Sequence, residues 1–203
     1  MTGSSSAAPG RLEVLRRFVN TLDVEASVEA LATPGDLRSW LQEAELLDAH
    51  AGVGEPDLRH ALALREALRT MLAANHDGSP VDAGAVSVVN EAAERARLQL
   101  VLRPDASWAA QPRAGGVDAA LGELLALVAA ASADGGWRRL KVCVNDSCRW
   151  AFYDASRARS GRWCSMQVCG NRAKQQAWRT RHEDRGAPPA FPGGAPPPRG
   201  ADL

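Results

Sequence analysis

The 203-residue chain is poor in aromatic residues, at 5%, and it has no cysteine outside the short stretch from Cys143 to Cys169. Its opening residues, MTGSSSAAPGR, are small and polar. They contain no apolar h-region, so no secretory signal is expected. No apolar run is expected to approach the length of a bilayer span. The sequence shows no phosphate-binding loop, no nucleophile beside a base and no His/Glu constellation of catalytic spacing, so no enzyme activity is expected. His50, His60 and His76 stand apart without a common metal spacing and read as surface or cap residues. By elimination the expected location is cytoplasmic, with no membrane partner.

The formal net charge of zero conceals a polarity. Residues 1–136 hold 11 arginines against 19 carboxylates, a net of −8. Residues 137–185 hold 12 basic residues against 4 acidic ones, a net of +8. A basic segment of this size suits an anion, nucleic acid first. Attraction to the acidic segment beside it is the lesser alternative.

Alanine and leucine are abundant, which favours helices. Leu12, Leu15, Phe18, Val19 and Leu22 recur at the helical period from Arg11. Asn20 and Thr21 end that stripe as cap or turn residues. VEASVEALA reads as a short helix or an irregular connection. Thr33-Pro34-Gly35-Asp36 and Ser79-Pro80-Val81-Asp82 both read as helix starts, with a hydroxyl at N-cap, Pro at N1 and Asp at N3. The first opens a helix burying Leu37, Trp40, Leu41, Ala44 and Leu47. The second opens one burying Val81, Ala85, Val88, Val89, Ala92 and Ala96. Between them EPDLRHALALREALRTML is a long helix ending near Asn75. Leu58, Ala61, Leu62, Ala67, Leu68, Met71 and Leu72 form its buried side, with Arg59, Arg65, Glu66 and Arg69 on the remainder. Leu98, Leu100 and Leu102 alternate with polar or smaller residues as in a half-buried strand, and Trp108 lies on the return strand. Val117–Ala133 is a Leu/Ala helix that Asp134-Gly135-Gly136 ends.

The four cysteines fall as Cys143-x4-Cys148-x15-Cys164-x4-Cys169. Two short knuckles presenting two thiolates each suit tetrahedral Zn²⁺, and a closed four-thiolate shell is structural rather than catalytic. Two disulfides, free thiols or an iron–sulfur cluster are the alternatives, and disulfides require an oxidising compartment. The span between the pairs is long enough for a β-hairpin. WRRLKVCVN reads as a strand entering the first knuckle and CRWAFYDAS as one leaving it. Trp137, Trp150, Phe152, Tyr153, Trp163 and Trp178 concentrate here as a small core around the metal, with Trp178 expected to dock on the hairpin.

The basic loop supplies Arg157, Arg159 and Arg162 as candidate phosphate contacts. A last helix, about Gly170 to His182, carries Arg172 and Arg179 on one ridge and Lys174 and Arg181 on another. These ridges suit the two phosphate strands of a duplex, with Gln175 or Gln176 at base edges. Arg172 has a second reading, as an ion-pair partner of Asp154. Exposed aromatics among arginines also suit single-stranded RNA. A protein-interaction or enzyme domain with a purely structural zinc is the remaining alternative. A small-molecule pocket is expected near Asn20, Trp40 and Arg65, polar residues flanking apolar stripes. A homodimer is expected because one zinc module covers little DNA.

The finger stretch resembles the CGNR zinc finger. The likeness rests on Cys143, Cys148, Phe152, Asp154, Ser156, Arg162, Trp163, Cys164, Ser165, Met166, Cys169, Gly170, Asn171, Arg172 and Lys174. FVNTLD at 18–23, TPGDLRSWL at 33–41 and ALALREALR at 61–69 are similar to the ABATE domain that precedes that finger. The resemblance covers about residues 11–185 and implies a DNA-binding transcription regulator with an N-terminal sensing or dimerising domain. Ala158 and Gly161 depart from the polar or basic residues expected in the finger's loop. Read physically, Gly170 permits close approach to the metal, and Asn171 caps the helix or bonds a thiolate. The expected architecture is α+β and mainly helical. Residues 1–10 are disordered and 11–136 form a helical domain with a β-hairpin. Residues 137–185 form a small treble-clef-like β-hairpin/helix zinc module, and 186–203 form a Pro/Gly-rich disordered tail.

Overall fold

A computed structural model describes residues 7–186, with side chains to Thr180. The expectations for 1–6 and 187–203 lie outside the described residues. The order is α1 (Leu12–Val19), β1 (Leu22–Asp23), β2 (Val28–Glu29), α2 (Pro34–Glu43), α3 (Glu55–Ala74), α4 (Ala83–Arg95), β3 (Gln99–Leu102), β4 (Trp108–Gln111), α5 (Gly116–Asp134), β5 (Leu140–Val142), β6 (Ala151–Tyr153) and α6 (Asn171–Gly186). The strands pair antiparallel as three separate hairpins, β1–β2, β3–β4 and β5–β6. The architecture is α+β and mainly helical, as expected.

Local chemistry accounts for the helix ends. Thr33 Oγ1 accepts from Asp36 N at 3.2 Å, and Asp36 Oδ2 accepts from Thr33 N at 2.8 Å, closing a capping box at the start of α2. The second expected box is corrected. Helix α4 starts later, at Ala83, because Asp82 is its N-cap and accepts from Gly84 N and Ala85 N at 2.9 and 3.1 Å. A carboxylate outcompetes the Ser79 hydroxyl for the orphan N–H groups. Residues 22–29 form the β1–β2 hairpin instead of a helix or irregular connection. Ala8, within the segment expected to be disordered, is buried, and its N–H donates to Glu13 Oε2 at 2.7 Å.

One core runs through the helices and continues into the β5–β6 hairpin. It joins Leu15, Phe18, Leu37, Leu64, Leu68, Leu72 and Leu124 to Leu140, Val142 and Ala151. Each buried leucine contributes about 2 kcal/mol. Helix α5 runs through this core and ends at Gly135, which takes the left-handed conformation at φ 78°. It corrects the expectation about apolar runs, since its 19 residues include an 18-residue window of mean hydropathy 1.5, apolar enough to cross a bilayer. Here its Leu121, Leu124, Leu125 and Val128 are buried inside the fold. The β3–β4 hairpin also departs from expectation: Leu100 and Leu102 are exposed rather than half-buried.

The largest correction concerns α3. Arg65 and Arg69, expected on its outer side, are buried, and Arg69 is 0% exposed. Arg65 bonds Glu29 at 2.7 Å, Glu66 at 2.9 Å and the Thr21 hydroxyl at 3.2 Å. Glu66 also takes the Arg69 Nε at 3.1 Å. Arg69 then donates to the carbonyls of Val19 at 2.6 Å and Arg149 at 2.9 Å. Burial works against both charges. The bonds to Glu29 and Glu66 outweigh it at Arg65, whose pKa is raised, while burial prevails at Arg69, whose pKa is lowered.

Arg69→Leu removes the charge but strands two buried carbonyls and half of Glu66's pairing. The expected loss is about 3 kcal/mol of unfolding free energy, read as a lower urea midpoint. An unchanged midpoint would show that the network contributes nothing.

Candidate metal centre and nucleic-acid interface

The first cysteine pair sits between β5 and β6, so the hairpin straddles the first knuckle rather than filling the span between the pairs. Asn145 organises this knuckle. Its carbonyl accepts from Cys148 N at 2.8 Å and Arg149 N at 3.0 Å. Its side-chain oxygen accepts from Ser147, and its Nδ2 lies 4.0 Å from Cys169 Sγ. Arg149 turns the chain out of the knuckle at φ 49°, and its carbonyl is the one Arg69 holds. In the second pair Cys164 precedes, and Cys169 lies on, a π-helical turn, Met166–Gly170, that leads into α6. Ser165 opens that turn by accepting from Val168 N at 3.3 Å.

All four sulfurs lie within 4.8 Å of one another. Cys148 and Cys164 are 3.6 Å apart, and Cys164 and Cys169 are 3.7 Å apart. Four thiolates at Zn–S distances of about 2.3 Å in a tetrahedron stand about 3.8 Å apart, so the donor set fits one zinc ion. A disulfide needs about 2.05 Å, and all four cysteines are free. Thiolates ligating different irons of a cluster would stand further apart than thiolates sharing one ion. The electrostatics agree. Hydrogen bonds from Cys148 and Cys164 hold the Cys143 thiol well below its usual range, and that first thiolate pushes the other two up. Several thiolates this close require a cation. Zinc here is structural, with its shell closed by protein sulfur.

A buried ion pair braces the outer side of the hairpin. Lys141 Nζ meets Asp154 Oδ2 at 2.9 Å, and both side chains are nearly inaccessible. Lys141 also donates to the carbonyls of Arg159 and Gly161, tying down the basic loop. Asp154 accepts from Gly161 N at 2.7 Å and Ser156 N at 3.1 Å. Burial pushes the Asp154 carboxyl up, but bonds from Ser156, Lys141 and Gly161 outweigh it and hold the pKa at about 2. Gly161 is required here, because a Cβ would stand 2.8 Å from the Asp154 carboxyl carbon. The departure from the finger's usual loop at that position is therefore a packing requirement.

The finger is also pinned to the helical region by groups that the sequence pattern assigns to other roles. Asn20 Oδ1 accepts from Ala151 N at 2.7 Å and its Nδ2 donates to Ala151 O at 2.9 Å. Asn75, the C-cap of α3, donates to Trp137 O and Leu140 O, both at 2.9 Å. His76 reaches Val142 O at 2.6 Å, so it is a bridging residue rather than a surface one. His50 is exposed, and His60 is half-buried with an Nδ1 that has no partner among the described residues.

Among the described residues, the three side chains expected to line a ligand pocket are engaged within the fold. Asn20 is spent on Ala151, Arg65 on Glu29, Glu66 and Thr21, and Trp40 packs on Phe18 with ring centroids 5.2 Å apart. Arg172 pairs with Glu25 in the β1–β2 turn, not with Asp154. Asn171 donates to Gln167 O at 3.0 Å, and Gly170 makes room for the Met166 side chain rather than for the metal. Arg157, Arg159, Lys174, Gln175, Gln176 and Arg179 are exposed, as is Arg162, whose guanidinium lies 5.9 Å from the Trp163 ring centroid. Arg181 lies in α6, beyond the last described side chain. Trp178 is 55% exposed. The sequence pattern did not single out Arg69 or Lys141 as buried. The signal for Arg69 was its position seven residues from Leu62 on a helix with two apolar ridges. For Lys141 it was the charge inside the apolar strand LKV, in a chain with two lysines.

Residues 13–134 match the ABATE family, described as "Putative stress-induced transcription regulator". Residues 139–182 match the CGNR zinc finger family. No curated protein matches the chain.

Two outcomes follow from this geometry. Because β5 and β6 belong to the common core, chelating the metal or changing Cys164→Ser is expected to lower the thermal midpoint of the whole chain. Two transitions, with the helical one unmoved, would contradict a shared core. Asp154→Asn leaves Lys141 buried without its charge partner and is expected to cost about 3 kcal/mol at neutral pH. The folded carboxyl lies below its unfolded value, so its contribution is complete above the ordinary Asp range and is lost only as pH falls towards 2. The difference between wild type and variant in urea should therefore stay flat from about pH 5.5 to 8, and a difference that shrinks within that window would contradict the pair.

Proposed function

We infer, for a chain that belongs to the ABATE family and carries a CGNR zinc finger, a zinc-dependent regulator whose finger binds duplex DNA. One observation carries the reading. From Asn171 to Thr180 every residue of α6 except Ala173 is exposed, so the helix stands clear of the fold that positions it. This stretch holds Arg172, Lys174 and Arg179 and no acidic residue. The zinc and the Ser165 turn fix the start of the helix, and the basic loop beside it adds Arg157, Arg159 and Arg162. A bare cationic helix on a rigid base suits a groove with phosphate on either side. Gln175 and Gln176 are the candidates for base edges.

The competing idea, that the basic segment exists to attract the acidic one, gains little support. Among the described residues one ion pair crosses between the two segments, Arg172–Glu25. That pair withdraws Arg172 from the proposed interface unless DNA displaces Glu25. Exposed Trp178 and the Arg162–Trp163 stack favour single-stranded RNA as the second reading. No catalytic role is assigned, since the four thiolates leave zinc no position for water. The helical region is assigned a sensing or dimerising role, and a cytoplasmic location accompanies this reading.

The test is binding of the zinc-loaded chain to random duplex DNA and to single-stranded RNA across a salt series. Log K is expected to fall with log salt by several units, and the slope should lessen by about one for each phosphate that a substitution leaves unneutralised. Lys174→Ala with Arg179→Ala should therefore lessen it by about two. An unchanged slope removes α6 from the interface, tighter RNA binding selects the second reading, and absence of binding at low salt sinks both.

A further inference from the structure

We propose that the outer face of the β3–β4 hairpin is a homodimer interface, on which the same face of a second copy packs. The register pairs Leu102 with Trp108 and Leu100 with Ala110. Arg103 N donates to Ser107 O at 2.8 Å, which makes Leu102–Trp108 and Leu100–Ala110 the pairs without ladder bonds, where side chains approach most closely. Leu100, Leu102, Trp108 and Ala110 therefore form one continuous apolar face. The opposite face carries Val101 and Ala109, both half-buried, as is Ala110 on the outer face.

A two-stranded sheet packed on a helical body is expected to turn its polar face to solvent. This one does the reverse: Leu100 is 73% exposed, Trp108 66% and Leu102 56%. They are three of the most exposed large apolar side chains among the described residues, and they share one face of one hairpin. Together they offer on the order of 400 Å² per copy, about half of the roughly 800 Å² that each partner buries in a standard interface. The patch holds no charge, so it does not select a partner of opposite sign. A flat apolar face of this kind is complementary to itself, and a two-fold closes the contact without leaving a second sticky surface. The rim is charged at both ends of the hairpin, and exposed Arg103 stands beside Asp105 at the tip. Asp105 is fixed at the hairpin tip by bonds from Ser107 N and Oγ at 3.0 and 2.7 Å. Arg97 and Arg113 sit at the base, where Arg97 donates to Arg113 O at 2.6 Å. A two-fold that crosses tip over base brings Asp105 of one copy to the arginines of the other.

The inference does not depend on nucleic-acid binding, and its test does not read it. Sedimentation of the zinc-loaded full chain over a wide concentration range is expected to give a mass twice that of the chain. Trp108→Ser should weaken the dimer about thirtyfold or more, as removal of a central aromatic anchor does. Leu102→Glu, which places like charges across the two-fold, should abolish it. Zinc content and helical circular dichroism should be unchanged in both, since neither side chain is in the core. If one variant fails that check, the other decides. A wild-type chain that is monomeric at every concentration overturns the proposal and leaves the patch to a different protein, and folded variants that dimerise as tightly as wild type overturn it as well.

Discussion

The guanidinium of Arg69 is fully buried, and it holds a carbonyl on each side of the molecule. Val19 O is the end of the first helix, and Arg149 O is the exit of the first zinc knuckle. A cation in this position is tolerable only because Glu66 offsets its charge and both carbonyls fill its donor sites. The cost of burial turns this into a constraint. Any movement of the knuckle away from α3 would leave the arginine under-satisfied, at a cost of several kcal/mol. Asn20, Asn75 and His76 repeat the theme with further carbonyls and one N–H of the finger.

Metal, hairpin and helices consequently share one structural unit. The zinc sets the two knuckles, the knuckles set Arg149 and the start of α6, and α3 reads the position of Arg149 through Arg69. The chain of contacts continues from Arg69 through Glu66 to Arg65 and on to Glu29 and Thr21. It crosses from the metal site to the β1–β2 hairpin, which in turn holds Arg172 at the base of α6 through Glu25. The finger is thus fixed at both of its knuckles by the domain that precedes it. Its own core is small, three buried cysteines with Trp150 and Trp163 packed on them, and the rest of its burial is borrowed from the helices.

Against this rigid unit, two features turn the wrong surface to water. From Asn171 to Thr180 helix α6 exposes every side chain but that of Ala173, although an unpacked helix gains little from its own propensity. The β3–β4 hairpin exposes leucine and tryptophan that could have been buried. One is cationic and the other is apolar, so the two call for different partners: an anion for the helix and an apolar face for the hairpin.

Some of this was legible in the chain itself. The zinc centre follows from the order and spacing of four cysteines, because tetrahedral coordination by two short knuckles is a local requirement. The capping box at Thr33, the end of α5 at Gly135 and the strand pair flanking the first knuckle are local in the same sense. Which face of an element is buried was not local. Arg69 looks like a surface residue until the carbonyls of Val19 and Arg149 arrive from 50 and 80 residues away, and Arg65 until Thr21 and Glu29 arrive from 44 and 36. Lys141 looks out of place until Asp154 folds beside it. Leu100 and Leu102 look buried because alternation reports that a strand has two faces, not which one meets the core. Asn20 and Arg65 promised a pocket because polar groups beside apolar stripes serve ligands and backbone clamps alike. Short-range chemistry, metal ligation, caps and turns, was determined by the sequence. The partners of buried polar groups were decided by tertiary structure, because satisfying a buried charge depends on atoms that only the completed fold brings within hydrogen-bond reach.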